Sequence, residues 1–216
     1  PAPAWPRHAQ RPRATDHVMA VVPDAGQPRA IAQVNSTGPL NAISRSTWAN
    51  ADPIPSRLNA LGGVRQITIH HEGWKTVWFD DVGNTAARLE LIRKSHINRM
   101  AAGDIGYHFV IDRSGRLWEG RPMQYQGAHV KNHNEHNIGV MVLGNFDFQD
   151  VSRPQVETLH RTVNTLMAGY RVPQSKVVTH QELNPTRCPG KSLQSVVNTL
   201  RSRNAFNGQV SQMASG

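Results

Sequence analysis

Short apolar runs and periodic apolar stripes recur from residue 41 to about 205, separated by polar turns. The run Val64-Arg65-Gln66-Ile67-Thr68-Ile69 reads as a strand that delivers His70 where it ends. Between Asn84 or Thr85 and about Ala102, the residues Ala86, Leu89, Ile92, His96 and Met100 fall at helical spacing. A polar cap before them and Gly103 after them predict an amphipathic helix. Residues 107–112 and 116–119 flank Ser114-Gly115 as a hairpin, and 137–143 form a further strand closed by Gly144. Ser152-Arg153-Pro154-Gln155 has the form of a capping box, and Val156, Leu159, Val163, Leu166, Met167 and Tyr170 then mark one face of a long helix. Residues 176–179 make a short strand ending at His180, and Leu193, Val196, Val197 and Leu200 stripe a last helix. Strands and helices that interleave in this way predict an α/β fold, a single domain with a mixed central β-sheet flanked by helices.

The first 40 residues differ in texture. Pro1, Pro3, Pro6, Pro12, Pro23 and Pro28 interrupt them and no periodicity is sustained, so residues 1–40 are expected to be an arm or linker. Within it, Val18-Met19-Ala20-Val21-Val22 is apolar enough to dock as an edge strand. Residues 41–205 are expected to be the folded domain and 206–216 a flexible tail. The chain begins with Pro and shows no basic-then-apolar leader, the expectation for a processed or trimmed form.

Charge narrows the partners. A formal net charge of +9 and a pI near 10.6 predict attraction to polyanions such as nucleic acid, acidic membranes or the bacterial wall. Nucleic-acid binding rests on charge alone, because no basic helix cluster or zinc-finger spacing accompanies it. No apolar run reaches the roughly 18 residues of a membrane span, so the chain is expected to be soluble, and monomeric by default.

Cys188 is the only cysteine, which excludes an intramolecular disulfide and leaves metal ligand, nucleophile or buried filler. It stands eight positions after His180, which closes one predicted strand as His70 closes another. Two neutral imidazoles and a thiolate suit Zn²⁺ with a fourth position open, the equipment of a hydrolase. In a strand the neighbouring His71 points to the opposite face and is expected to be structural or to support a ligand. The His-Glu-x-x-His motif of helical zinc peptidases is absent.

Further motifs stand around these three residues in order: Ile69-His70-His71, Gly103-Asp104-Ile105-Gly106-Tyr107-His108-Phe109, Glu119-Gly120-Arg121, Gly127-Ala128-His129, Asn137-Ile138-Gly139-Val140 and His180 followed by Cys188-Pro189-Gly190. Over residues 41–202 the chain resembles the zinc-dependent N-acetylmuramoyl-L-alanine amidases of the type 2 class, especially the branch of peptidoglycan recognition proteins and phage lysozymes. The resemblance implies cleavage of the lactyl amide between N-acetylmuramic acid and the first L-Ala of the stem peptide. It also implies His70, His180 and Cys188 as zinc ligands and Tyr107 as the catalytic tyrosine. The phage enzymes carry a lysine two residues before the ligand cysteine, where this chain has Thr186, expected to position substrate or water. Another branch uses Asp as third ligand and a glutamate base where this chain has Cys188 and Met141. A water relay or Tyr107 itself is then expected to protonate the leaving amine.

By the same resemblance, His129 and Arg121 are expected to contact glycan or peptide. Trp74 and Trp78, with Phe79, lie in a segment suited to a substrate-facing loop. His108 is expected to be structural, and His133 and His136 to belong to a polar surface loop. Glu182 reads either as an orienting carboxylate for a ligand histidine or as a solvated side chain. The expected partner is bacterial peptidoglycan, with anionic wall polymers as a further attraction, and the expected location is secreted, periplasmic or facing the cell wall. A non-catalytic peptidoglycan-binding module is the alternative; its usual mark is loss of a zinc ligand, and none is lost here.

Overall fold

The computed structural model describes residues 36–37 and 40–209. Among the described residues, seven strands form one sheet: β1 (Ser36–Thr37), β2 (Ala42–Ile43), β3 (Gln66–His71), β4 (Phe109–Ile111), β5 (Leu117–Glu119), β6 (Asn137–Val142) and β7 (Val177–Thr179). Their spatial order is β1-β2-β5-β4-β6-β3-β7. The β4, β6, β3 and β7 strands are mutually parallel, whereas β4–β5 and β1–β2 are antiparallel, so the sheet is mixed as expected.

Three helices cover it: α1 (Val82–Met100), α2 (Arg153–Tyr170) and α3 (Lys191–Ser202). The two-residue side-chain period of the strands sorts the core into two layers. Ile67, Ile69, Ile138, Val140 and Val142 pack with Leu159, Val163 and Leu166 of α2 and Leu193 and Val197 of α3. The alternate positions Val110, Met141 and Leu143 pack with Leu89 and Ile92 of α1 and with Trp48 and Trp118. Both faces are thus buried, and each fully buried Ile or Leu contributes about 1.5–3 kcal/mol relative to exposure.

The caps follow the sequence. Asp81 accepts a hydrogen bond from the Asn84 N–H at the start of α1, and Ser152 and Gln155 form the reciprocal capping box of α2. Gly190 starts α3 at φ 84°, and a Cβ there would lie 2.6 Å from the Phe146 carbonyl carbon, so only glycine fits.

Three boundaries differ from the sequence reading. Strand β3 runs on through His71 because His70 and His71 pair with Met141 and Val142 of β6. The stretch expected to be an arm supplies β1, which pairs with β2; the apolar segment 18–22 lies outside the described residues. The tail expected from residue 206 begins with a core residue, since Phe206 is fully buried and the Asn207 and Gly208 N–H groups donate to Asn164 Oδ1. A hydrophobic anchor beyond the last helix leaves no periodic signal.

Candidate metal centre and cleft

Parallel pairing of β3 with β7 sets Ile69 opposite Thr179, so the residues that follow, His70 within β3 and His180 just past β7, emerge side by side. Their ring centroids are 4.8 Å apart. The loop after His180 returns Cys188 to the same place, held by the Gln181 N–H donating to the Cys188 carbonyl at 2.9 Å. One ligand atom from each of His70, His180 and Cys188 lies within 4.8 Å of the others, and the Cys188 Sγ–His70 Nδ1 distance is 3.6 Å. Among the described residues this is the group of three or more such side chains arranged to hold a metal ion.

The chemistry of the donors fits a divalent cation. Burial, with the adjacent His129, His180 and His71 rings adding, holds His70 well below the usual histidine range, and burial also lowers His180, so both offer neutral imidazoles. Burial pushes the Cys188 thiol up to about 12, opposed by the His71 N–H, which donates to Sγ at 3.4 Å. A thiolate in this pocket needs a cation beside it, and the backbone donor is already in place for one.

Tyr107 reaches the edge of the triad, its ring 5.2 Å from that of His70. It stands before β4 rather than inside a strand, on a loop whose carbonyl at Tyr107 accepts from the Arg121 N–H. Burial, with Cys188 and Glu72 adding, raises its phenol well above the ordinary value, so the hydroxyl stays a proton donor. His96 of α1 braces this loop: its Nδ1 accepts from the Gly106 N–H at 2.9 Å and its ring centroid lies 5.7 Å from that of Tyr107.

From Tyr107 a cleft of about 570 Å³ runs along α1, lined by Glu72, Trp74, Arg88, Lys94, His96 and Arg99 among others. Glu72 and Arg88 pair at its wall; burial raises the Glu72 carboxyl, and its second oxygen has no hydrogen-bond partner among the described residues. The Arg88 guanidinium also stacks over Trp74 at 4.5 Å, and Trp74 is 60% exposed, so an aromatic face is presented to the cleft. Glu72 and Arg88 carry no sequence signal beyond charge. His96 left one, a histidine in an otherwise apolar helical stripe.

The remaining expected residues distribute unevenly. Trp78 is 64% exposed but lies outside this cleft, under Arg113 at 4.7 Å. Thr186 is exposed, and its hydroxyl accepts from the Cys188 N–H at 3.2 Å, which steadies the loop that carries Cys188. Arg121, expected at substrate, is buried, and its guanidinium donates to the carbonyls of Ile105, Asp104 and Gln126, tying loops together inside the fold. His129, also expected at substrate, is buried behind His70 with both ring nitrogens bonded to protein atoms. Glu182 accepts from the Thr179 N–H and from Arg201 rather than from His70 or His180. His71, expected to be structural or to support a ligand, is buried with Nδ1 facing the Phe146 N–H, and His108, expected to be structural, accepts from the Gly139 N–H.

The family described as N-acetylmuramoyl-L-alanine amidase matches residues 60–191, the span that carries His70, Tyr107, His180 and Cys188. The chain belongs to this amidase family. The human protein named N-acetylmuramoyl-L-alanine amidase is 29% identical over 133 residues, 61% of this chain but 23% of that protein. The chain thus spans about a quarter of the length of the mammalian relatives it matches. Peptidoglycan-recognition protein SC2 of Drosophila melanogaster is 24% identical over 161 residues, covering 74% of this chain and 86% of that one. In fold, the crystal structure of Drosophila peptidoglycan recognition protein SD superposes with a TM-score of 0.66 at 19% identity, over 73% of this chain and 92% of that one. The amidase family and its recognition-protein relatives are peptidoglycan-related, and the mixed sheet with three helices is their fold.

Proposed function

We propose that this chain is a zinc-dependent N-acetylmuramoyl-L-alanine amidase, which hydrolyses the lactyl amide between N-acetylmuramic acid and the L-Ala of the stem peptide. The observation that carries the reading is the convergence of an intact His70, His180 and Cys188 set with Tyr107 at its edge and a cleft leading away from it. Zinc, when bound, supplies the Lewis acidity that polarises the scissile carbonyl and acidifies water. His70 and His180 hold it as neutral ligands, and Cys188 as a thiolate supported by the His71 N–H.

Tyr107 donates its hydroxyl proton as a hydrogen bond to the carbonyl oxygen as negative charge grows there. One such donor in a water-poor site is worth about 3 kcal/mol. Its raised pKa suits this role, because a phenolate would repel the developing oxyanion. Thr186 acts through Cys188, by holding the ligand loop, rather than on substrate. Arg88, Lys94 and Arg99 give the cleft a cationic wall for the stem-peptide carboxylates, and Trp74 gives it an apolar face. The overall charge of +9 favours a wall that also carries anionic polymers, and the site of action is outside the cytoplasm, on bacterial peptidoglycan, by a monomer.

Mass spectrometry of purified peptidoglycan fragments incubated with zinc-loaded protein tests this directly. Free stem peptides with an N-terminal L-Ala are expected, and are absent with Cys188→Ala or a chelator. Fragments that bind but stay intact would reassign the chain as a recognition module.

A further inference from the structure

Between the sheet and the loop at 127–136, the His129 ring fills a slot that only glycines leave open. A Cβ at Gly127 would lie 2.3 Å from His129 Cδ2, and one at Gly139 would lie 2.7 Å from the same atom. Gly139 belongs to β6 and pairs with Thr68, two residues before His70 on β3. The missing side chain at Gly139 therefore lets a ring from a loop lie on the strand next to the ligand-bearing one. The His129 and Val130 N–H groups both donate to Asn134 Oδ1 at 2.8 Å, which anchors the loop that presents the ring.

Both His129 nitrogens are spoken for. Nε2 faces the Asn137 carbonyl at 3.2 Å, and Nδ1 faces His70 Nε2 at 2.9 Å. A carbonyl only accepts, so His129 Nε2 carries the hydrogen and Nδ1 offers a lone pair. His70 Nε2 must then donate, which leaves the lone pair of His70 on Nδ1, the atom 3.6 Å from Cys188 Sγ. The opposite assignment would set two lone pairs face to face at Asn137. Asn137 is itself held, since its Oδ1 accepts from Thr68 Oγ1 at 3.0 Å and its amide donates to the His133 carbonyl at 2.7 Å.

We propose that His129 is a positioning residue: through the run from the Asn137 carbonyl to His129 to His70, it locks His70 in the Nε2-protonated tautomer and so presents Nδ1 as a metal ligand. The inference deepens the zinc reading, and its metal-affinity half rests on that reading, while its tautomer half concerns the metal-free protein. Partners of ligand histidines that fix ring and tautomer are typically worth 10–100-fold in metal affinity. A neutral histidine is an unusual choice for this task, and it leaves no extra negative charge behind the ligand.

The test begins with the metal-free wild type labelled with ¹⁵N-histidine. Long-range ¹H–¹⁵N NMR is expected to show His70 and His129 both protonated on Nε2 and bare on Nδ1. A His70 ring protonated on Nδ1, or exchanging between tautomers, would overturn the proposal without any variant. His129→Phe fills the slot without an acceptor, and is expected to mix the His70 tautomers and weaken zinc, measured by chelator competition, by about 10–100-fold. His129→Asn can place Oδ1 where Nδ1 was, and is expected to restore the tautomer and most of the affinity. Wild-type tautomer and affinity in His129→Phe would overturn the proposal. A wild type that shows the stated tautomers but binds no zinc would support the hydrogen-bonded run and overturn the metal reading instead.

Discussion

Replacing Gly139 by alanine probes the slot by sterics alone. The new methyl would meet three atoms of the His129 ring, at 2.7, 2.8 and 2.9 Å, where ordinary contacts begin near 3.4 Å. Gly127 crowds the same ring, since a Cβ there would come within 2.3 Å of His129 Cδ2. Sideways motion would break the bonds to Asn137 and His70. Forcing one carbon into such a packed site costs about 1–3 kcal/mol, and a lost buried hydrogen bond adds about 1 kcal/mol. Removing a glycine from a strand returns about 0.5–1 kcal/mol, which leaves a net loss of about 2 kcal/mol. For a chain of this size that is a fall in Tm of about 4–8 °C. Urea and thermal unfolding of the metal-free protein measure it, beside Gly169→Ala, where nothing lies within 4 Å of the added Cβ and stability is expected to hold or rise. Gly139→Ala as stable as that control would refute the account of the slot, and with it the steric basis for placing His129.

Other consequences can be read the same way. Tyr107→Phe is expected to lower kcat for muropeptide cleavage by about 10²–10³-fold while KM and zinc affinity stay near wild type; retained turnover would remove Tyr107 as the oxyanion donor. Trp74→Ala is expected to weaken muropeptide binding about tenfold, because Trp74 lines the cleft, whereas Trp78→Ala leaves binding unchanged; equal losses in calorimetry would contradict the placement. His96 and His108 are both held down to about 4 by burial, from an ordinary 6.5. The unfolded chain therefore binds protons that the folded chain refuses between those values, so stability is full above pH 6.5 and falls as the pH drops toward 4. Urea titrations that show the same stability at pH 7 and pH 4.5 would contradict this.

Much of the fold was readable because its signals are local. The stripe Leu159, Val163, Leu166 announces a helix face wherever it docks, and the capping box at Ser152 announces its start. The His70, His180 and Cys188 grouping was readable as well, since a histidine after each of two apolar runs and a lone cysteine eight residues on are a pattern along the chain, and the fold brings the three together. The surroundings of Arg121 and His129, both expected at substrate, were not readable for the opposite reason. Their partners are the carbonyls of Asp104, Ile105, Gln126 and Asn137 and the ring of His70, contacts that a motif names only as neighbours in order.

The sequence by itself therefore determined the helices and most of the strands, the mixed α/β class, the chemistry of the donor atoms and the net charge, because each follows from residue type and spacing. Tertiary structure alone decided that β7 lies beside β3, so that His70 and His180 meet across a separation of 110 positions. It also decided that a glycine on β6 leaves room for His129, and that Glu72 and Arg88 pair at the wall of a cleft. Strand order and the partners of buried polar groups are set by long-range packing, in which every buried donor must find an acceptor, and no local period encodes that search.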